Sequence, residues 1–263
     1  MTWLRFQKTS KDDGVIARRY VTLGLAASAA VSCAAAPSAG QRTVAVVGAT
    51  GGTGKFIIAD LAARGFKVRA LTRDPVKARA SIAGPYEWLA GDVREPRSLA
   101  AAFQGADFVI TSVGATEASG ANSPEKVDWD GGRNAVDAAR SAGVTRFVMI
   151  SSANAGNPES PLNKMFGNVL VWKGKAEQYL RQSGVDYSII RGPGLIDDPG
   201  GVKEIILEQS GTERRTCTRQ DLAAVTVVAM TDAAAGHKTM VARNGDGPFR
   251  ADWVRQFAAR DRD

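Results

Sequence analysis

Histidine, cysteine and tyrosine are scarce in this chain: one His, two Cys and four Tyr among 263 residues. A single histidine, His237, leaves no histidine-based metal cluster to assemble. Of the two cysteines, Cys33 lies in a leader-like segment, so Cys217 is the only thiol of the body and no internal disulfide forms there. Flanked by Thr216 and Thr218 with no histidine near it, Cys217 reads as a packed thiol rather than a nucleophile. A basic stripe interleaved with aromatics is missing as well. Part of the +7 formal charge sits in Arg5, Lys8, Lys11, Arg18 and Arg19, and the rest is scattered among acids, which argues against nucleic-acid binding. The chain also lacks a P-loop: Gly54-Lys55 is followed by Phe56, so no hydroxyl is placed for Mg²⁺.

Residues 1–42 do not pattern as part of a fold. Arg18-Arg19 precedes the apolar stretch Tyr20–Leu25, and an alanine-rich run follows to Ala36. A basic region, a short apolar region and a small-residue exit are the anatomy of an export signal, and the paired arginines point to the twin-arginine route. The apolar stretch is too short to span a bilayer. Cys33, after Ala30-Val31-Ser32, is placed as a candidate lipid anchor. The expected location is therefore periplasmic, or membrane-anchored after export. The alternatives are a cytoplasmic protein with an alanine-rich extension, or a plastid protein with a transit peptide, against which Asp12-Asp13 count. The expected organisation is a leader or extension over 1–42 and one domain over 43–263.

The chemistry concentrates at the start of that domain. Thr43–Val47 is a β-branched apolar run that reads as a strand buried on both faces. It breaks into Gly48, Gly51 and Gly54, spaced G-x-x-G-x-x-G, and a helical pattern runs from Lys55 until Gly65. A strand, a glycine turn and a helix N-terminus make a diphosphate site, because glycines let backbone approach phosphate and the first helical N–H groups are free. Thr50, Gly52 and Thr53 belong to the same turn.

A second strand, Lys67–Thr72, ends at Arg73-Asp74, the place where the adenosine ribose is read. Arg73, with Lys77 and Arg79 close behind, favours a 2′-phosphate and hence NADP over NAD; Asp74 is the feature that favours NAD. Glu87–Val93 reads as a third strand closing on Gly-Asp-Val, and Arg97–Phe103 as a short helix after Pro96. Ala106–Gly114 is a fourth strand whose small end, Ser112-Val113-Gly114, suits close contact with a cofactor. Ala115–Glu125 reads as a mobile loop and Trp129–Ala142 as a helix. Thr145–Ile150 is a fifth strand delivering Ser151-Ser152 at its carboxyl end, where ligands bind in parallel sheets. Pro161–Gln182 reads as mostly helical, Asp186–Arg191 as a sixth strand, and Ile205–Leu207 as a further one. Thr218 to Asp221 reads as a capping box opening a helix to Met230. Lys238–Ala242 and Trp253–Ala259 close the chain as strand and helix. The expected fold class is α/β: a Rossmann-type doubly wound parallel sheet with a small C-terminal lid.

The order G-A-T-G-x-x-G, T-R-D, G-D-V, F-V-x-I-S-S, K-x-x-x-E and Y-x-I-I-R-x-P-G resembles the atypical short-chain dehydrogenase/reductases, the branch holding flavin/biliverdin-type reductases and NmrA-like redox regulators. The resemblance implies NAD(P)H binding: Gly48, Gly51, Thr53 and Gly54 on the diphosphate, Arg73 on the 2′-phosphate, Asp92 and Val93 at the adenine. It also implies Ser151 and Lys173 as the catalytic pair, with Lys173 on the nicotinamide ribose and Pro193 beside the nicotinamide. The family's Y-x-x-x-K pair is broken, since Val169 stands four residues before Lys173. Tyr86, Tyr179 and Tyr187 are expected in other elements. Without a tyrosine acid, reduction of ordinary carbonyls is disfavoured, and hydride transfer to a flavin or quinone is favoured because its developing charge is delocalised. The expectation is an NADPH-dependent reductase of a small planar acceptor; the alternative is an NADP(H)-binding sensor without turnover.

Overall fold

In this computed structural model, which describes residues 40–210 and 215–263, strands and helices alternate along the chain. The first half holds β1 (Thr43–Val47), α1 (Gly54–Ala63), β2 (Lys67–Thr72), α2 (Pro75–Ser81), β3 (Tyr86–Ala90), α3 (Pro96–Phe103) and β4 (Phe108–Thr111). A π-helix (Glu125–Asp130) runs directly into α4 (Gly131–Ala142), and β5 (Arg146–Ser152), α5 (Pro161–Met165), α6 (Val169–Gln182) and β6 (Tyr187–Gly192) follow. The last part carries β7 (Gly194–Ile196), β8 (Lys203–Glu208), β9 (Thr216–Thr218), α7 (Arg219–Thr231), β10 (Lys238–Pro248) and α8 (Trp253–Ala258). Most of the expected leader, including Arg18-Arg19 and Cys33, lies outside the described residues. Among the described residues no helix is long and apolar enough to cross a membrane.

The eight-stranded sheet runs β3-β2-β1-β4-β5-β6-β10-β8, and only the β8–β10 pairing is antiparallel. This is a doubly wound Rossmann sheet, with its order reversing between β1 and β4. Alternation along β1 shows how the layers form. Val44 and Val46 face the core shared with Ile57 and Leu61 of α1 and Val225 of α7. Ala45 and Val47 face the other core, with Phe103 of α3, Val136 of α4 and Leu180 of α6. A strand buried on both faces needs apolar residues at every position, which is the pattern of Thr43–Val47. β7 and β9 form a separate two-stranded parallel sheet in the segment after β6.

Several boundaries differ from the sequence reading, each for a physical reason. β3 stops at Ala90 and β4 at Thr111, so Gly91–Val93 and Ser112–Gly114 lie beyond the sheet. Their last rungs are Gly91 N–H to Thr72 O at 3.0 Å and Ser112 N–H to Val47 O at 2.9 Å. β2 and β1 end there, leaving no further partner. The 161–182 helix is two helices. Gly167 and Asn168 take left-handed φ of 58° and 60°, and a Cβ on Gly167 would stand 2.0 Å from the Ala118 carbonyl. The helix placed at Trp129–Ala142 begins earlier, so the loop before it is shorter than expected. Tyr179 lies on α6, the helix of Lys173, rather than in another element. The capping box at α7 is half formed: Thr218 Oγ1 accepts from Asp221 N–H at 3.0 Å, while the Asp221 carboxylate binds Gly201 N–H and Asn244 Nδ2.

Candidate functional site

The carboxyl ends of β1, β2 and β4 open into a cavity of about 250 Å³ at the reversal of strand order. Gly48, at φ 80°, turns the chain out of β1. A Cβ there would stand 2.3 Å from the Ser112 carbonyl, so glycine is required for β1 and β4 to end side by side. Gly51 N–H closes the turn on Gly48 O at 3.0 Å. A Cβ on Gly54 would meet the same carbonyl at 2.1 Å, which locks α1 against the turn. α1 has no side-chain cap and no acid in its first turn. Lys55 and Phe56 N–H turn back onto Gly51 O and Thr53 O at 3.1 Å each, so the helix dipole and the N–H groups of Gly52, Thr53 and Gly54 are what the described residues leave for an external anion. This uncapped cradle of close backbone fits the diphosphate of a dinucleotide.

Of the residues singled out by sequence, Gly48, Thr50, Gly51, Arg73, Asp92, Val93, Ser112, Val113 and Gly114 line this cavity. Gly52, Thr53 and Gly54 belong to its glycine turn but not to its lining, and Thr53 and Gly54 are buried. Ser151 and Lys173 line a smaller cavity of about 20 Å³ that adjoins the first through Val93 and Val113. Pro193, between β6 and β7, lines neither.

Charge at the adenosine end is arranged by local bonds. Arg73 is exposed and donates to Asn122 Oδ1 at 3.3 Å. Asp74, the residue that would favour an unphosphorylated ribose, caps α2 instead by accepting from Lys77 N–H at 2.9 Å. The Asp92 carboxylate is held by Arg94, with Nε at 2.9 Å and Nη2 at 2.5 Å. These hydrogen bonds hold the Asp92 carboxyl below the usual range. Arg94 Nη1 also donates to Ala121 O, so Arg73 and Arg94 both pin the 115–124 segment over the cavity mouth.

At the other end, Ser151 is 7% exposed, and its Oγ has no hydrogen-bond partner among the described residues. Lys173 Nζ stands 2.6 Å from Asp128 Oδ1, off the axis of a directed hydrogen bond, and 3.4 Å from Val113 O. One turn along α6, Glu177 is fully buried and receives Arg191 Nε at 2.9 Å, Arg191 Nη2 at 2.5 Å and Arg181 Nη2 at 3.1 Å. The acid and arginine of the K-x-x-x-E and I-I-R motifs thus tie α6 to β6 beneath Lys173. The described tyrosines are engaged elsewhere. Tyr179 donates to Asp137 Oδ1 at 2.8 Å, Tyr187 donates to Asp263 Oδ2 at 3.2 Å, and the Tyr86 ring packs edge-on against Trp88.

Sequence reasoning missed Asp128, Asn122, Arg94 and Arg219. Arg219 opens α7 and lies over the glycine turn: a Cβ on Gly52 would stand 2.7 Å from its Nε, and it pairs with Asp197 at 3.2 Å. Nothing local marks this contact. Pro124 stands just before the π-helix of Asp128, but nothing local marks the pairing of Asp128 with Lys173.

Comparison with known proteins agrees with this geometry. A family profile described as NAD(P)H-binding matches residues 48–233. The chain is 36% identical over 251 residues to an uncharacterized chloroplastic protein of Arabidopsis thaliana, covering 86% of this chain and 77% of that one. It is 34% identical over 236 residues to sanguinarine reductase of Eschscholzia californica, covering 74% and 86% respectively. A solved structure described as a proposed NAD-dependent epimerase/dehydratase from Bacillus halodurans superposes with a TM-score of 0.72 at 26% identity, over 82% of this chain and 99% of that one.

Proposed function

The chain belongs to the NAD(P)H-binding family, in the atypical short-chain dehydrogenase/reductase branch, and on that premise we propose that it is an NADPH-dependent reductase of a small planar acceptor such as a flavin or quinone. What supports the choice of acceptor is that, among the described residues, no tyrosine lines the cavity of Ser151 and Lys173. Val169 occupies the helix position four before Lys173, and Tyr179 and Tyr187 donate to Asp137 and Asp263. A general acid is worth roughly 10²–10⁴ in rate, so substrates that need one react slowly here. Acceptors whose charge is delocalised, and which solvent protonates, do not need it.

Bound reduced nicotinamide supplies a hydride; the chain supplies everything else. The glycine turn and the first turn of α1 hold the diphosphate. Arg73 takes the 2′-phosphate, a reading supported by the use of Asp74 as a helix cap. Lys173 holds the nicotinamide ribose, and the unpartnered hydroxyl of Ser151 donates to the acceptor. For residues 1–42, the chloroplastic location of the Arabidopsis relative supports plastid import as the alternative to export.

The test is steady-state NADPH and NADH oxidation with flavin mononucleotide, riboflavin and benzoquinones. Saturable turnover with NADPH preferred is expected, and Arg73→Ala should abolish the preference by weakening NADPH alone, by roughly tenfold for one lost phosphate contact. Tight NADPH binding with no turnover on any acceptor would refute the reductase and leave the sensor.

A further inference from the structure

One buried carboxylate at the reacting end has been given no task by this scheme. Asp128 sits on the π-helix, a geometry that is rare and frequent at functional sites, and its side chain is 1% exposed. Its Oδ1 faces Lys173 Nζ at 2.6 Å, and its Oδ2 accepts the Ala115 N–H at 3.1 Å. Both side chains line the smaller cavity and lie behind the Gly114 edge of the main one: a Cβ on Gly114 would stand 3.9 Å from Asp128 Oδ1 and from Lys173 Nζ. One carboxylate therefore fixes a lysine rotamer and the backbone edge beside it. A buried carboxylate is costly unless paired, and a buried pair is often no more stabilising than apolar residues, so stability alone is a weak reason for its presence.

We propose that Asp128 is a positioning residue for the dinucleotide: it holds Lys173 and the Gly114–Ala115 backbone in the arrangement that meets the nicotinamide ribose. This inference rests on the dinucleotide reading of the cleft. Lys173 is a long side chain whose freedom would otherwise be lost on binding, and the ion pair removes that freedom beforehand. Asp128 touches neither acceptor nor hydride; it acts through Lys173.

The experiment compares two ligands by titration calorimetry. NADPH reaches both ends of the cleft, whereas adenosine 2′,5′-bisphosphate lacks the nicotinamide ribose. Asp128→Asn should weaken NADPH by about tenfold, equivalent to roughly 1.4 kcal/mol, and leave the fragment unchanged. Combined with Lys173→Ala it should add nothing to the loss caused by Lys173→Ala alone, because the two act as one unit. Asp128→Glu, which keeps the charge but displaces it, should show the same selective loss and serves if Asp128→Asn does not fold. Equal weakening of both ligands, unchanged NADPH affinity in both variants, or additive losses would each overturn the proposal. Failure of the unaltered protein to bind NADPH would be a different result, overturning the cofactor reading on which the proposal stands.

Discussion

Replacing Gly54 by alanine tests the cradle most directly. The added Cβ would lie 2.1 Å from the Gly48 carbonyl and 3.0 Å from the Ala49 Cα and carbonyl carbon, all of them backbone atoms that no rotamer change can move aside. Relief requires the turn to retreat by about 1 Å, an overpacking that costs about 1–3 kcal/mol of stability. The same retreat displaces the amides of Gly52 and Thr53 from any bound diphosphate. Hydrogen bonds to charged groups contribute about 1.5–3 kcal/mol each, so losing one lowers affinity by at least about tenfold. Gly65→Ala is the control. Gly65 has φ 81° but nothing within 4 Å of a Cβ, so alanine there meets backbone strain of about 1–2 kcal/mol and no clash. Urea unfolding and NADPH titration of both variants separate the two effects. Gly65→Ala should lose stability only, whereas Gly54→Ala should lose stability and affinity. If Gly54→Ala binds NADPH like the unaltered protein, the glycine turn is not the diphosphate site.

Two further outcomes follow from buried groups. Arg191→Ala leaves Glu177, which is fully buried, without its closest cation; a broken buried pair costs about 3–5 kcal/mol, and the loss should fall at the low end because Arg181 still reaches Glu177 at 3.1 Å. A fall of less than about 1 kcal/mol in urea unfolding would show that the ion cluster does not tie α6 to β6. Burial, reinforced by Asp221, pushes the Cys217 thiol up to about 12. Its folded pKa is raised above the roughly 8.5 of an unfolded thiol, so the stability it contributes is complete below that pH and is lost as pH rises toward 12. Alkylation at pH 8, mapped by mass spectrometry, should spare Cys217 in the folded protein and label it in denaturant; labelling of the folded protein would contradict its burial.

The expected strands at Thr43–Val47 and Lys67–Thr72 match the structure residue for residue, and the helix expected from Lys55 until Gly65 runs over Gly54–Ala63. Both depend on features written locally: β-branched apolar runs, and glycines whose missing Cβ decides what backbone can approach. Arg73, singled out at the end of the second strand, and Asp92, singled out by the family resemblance, both line the cavity. Asp128 was not singled out, since a lone acid in a polar stretch carries no pattern and its meaning comes from Lys173 on another helix. The separate tasks of Asp74 and Glu177 were equally invisible, because a capping acid, a buried acid and a ligand-facing acid look alike in sequence.

By itself, then, the sequence determined the fold class and the kind of ligand, because backbone sterics and hydrophobic alternation act over a few neighbouring residues. Only the tertiary structure decided which charges face the cleft and which are spent on one another. Lys173 with Asp128, Arg191 with Glu177 and Arg219 over Gly52 are brought together by the order of strands in the sheet, and electrostatic pairing depends on distance in space rather than along the chain.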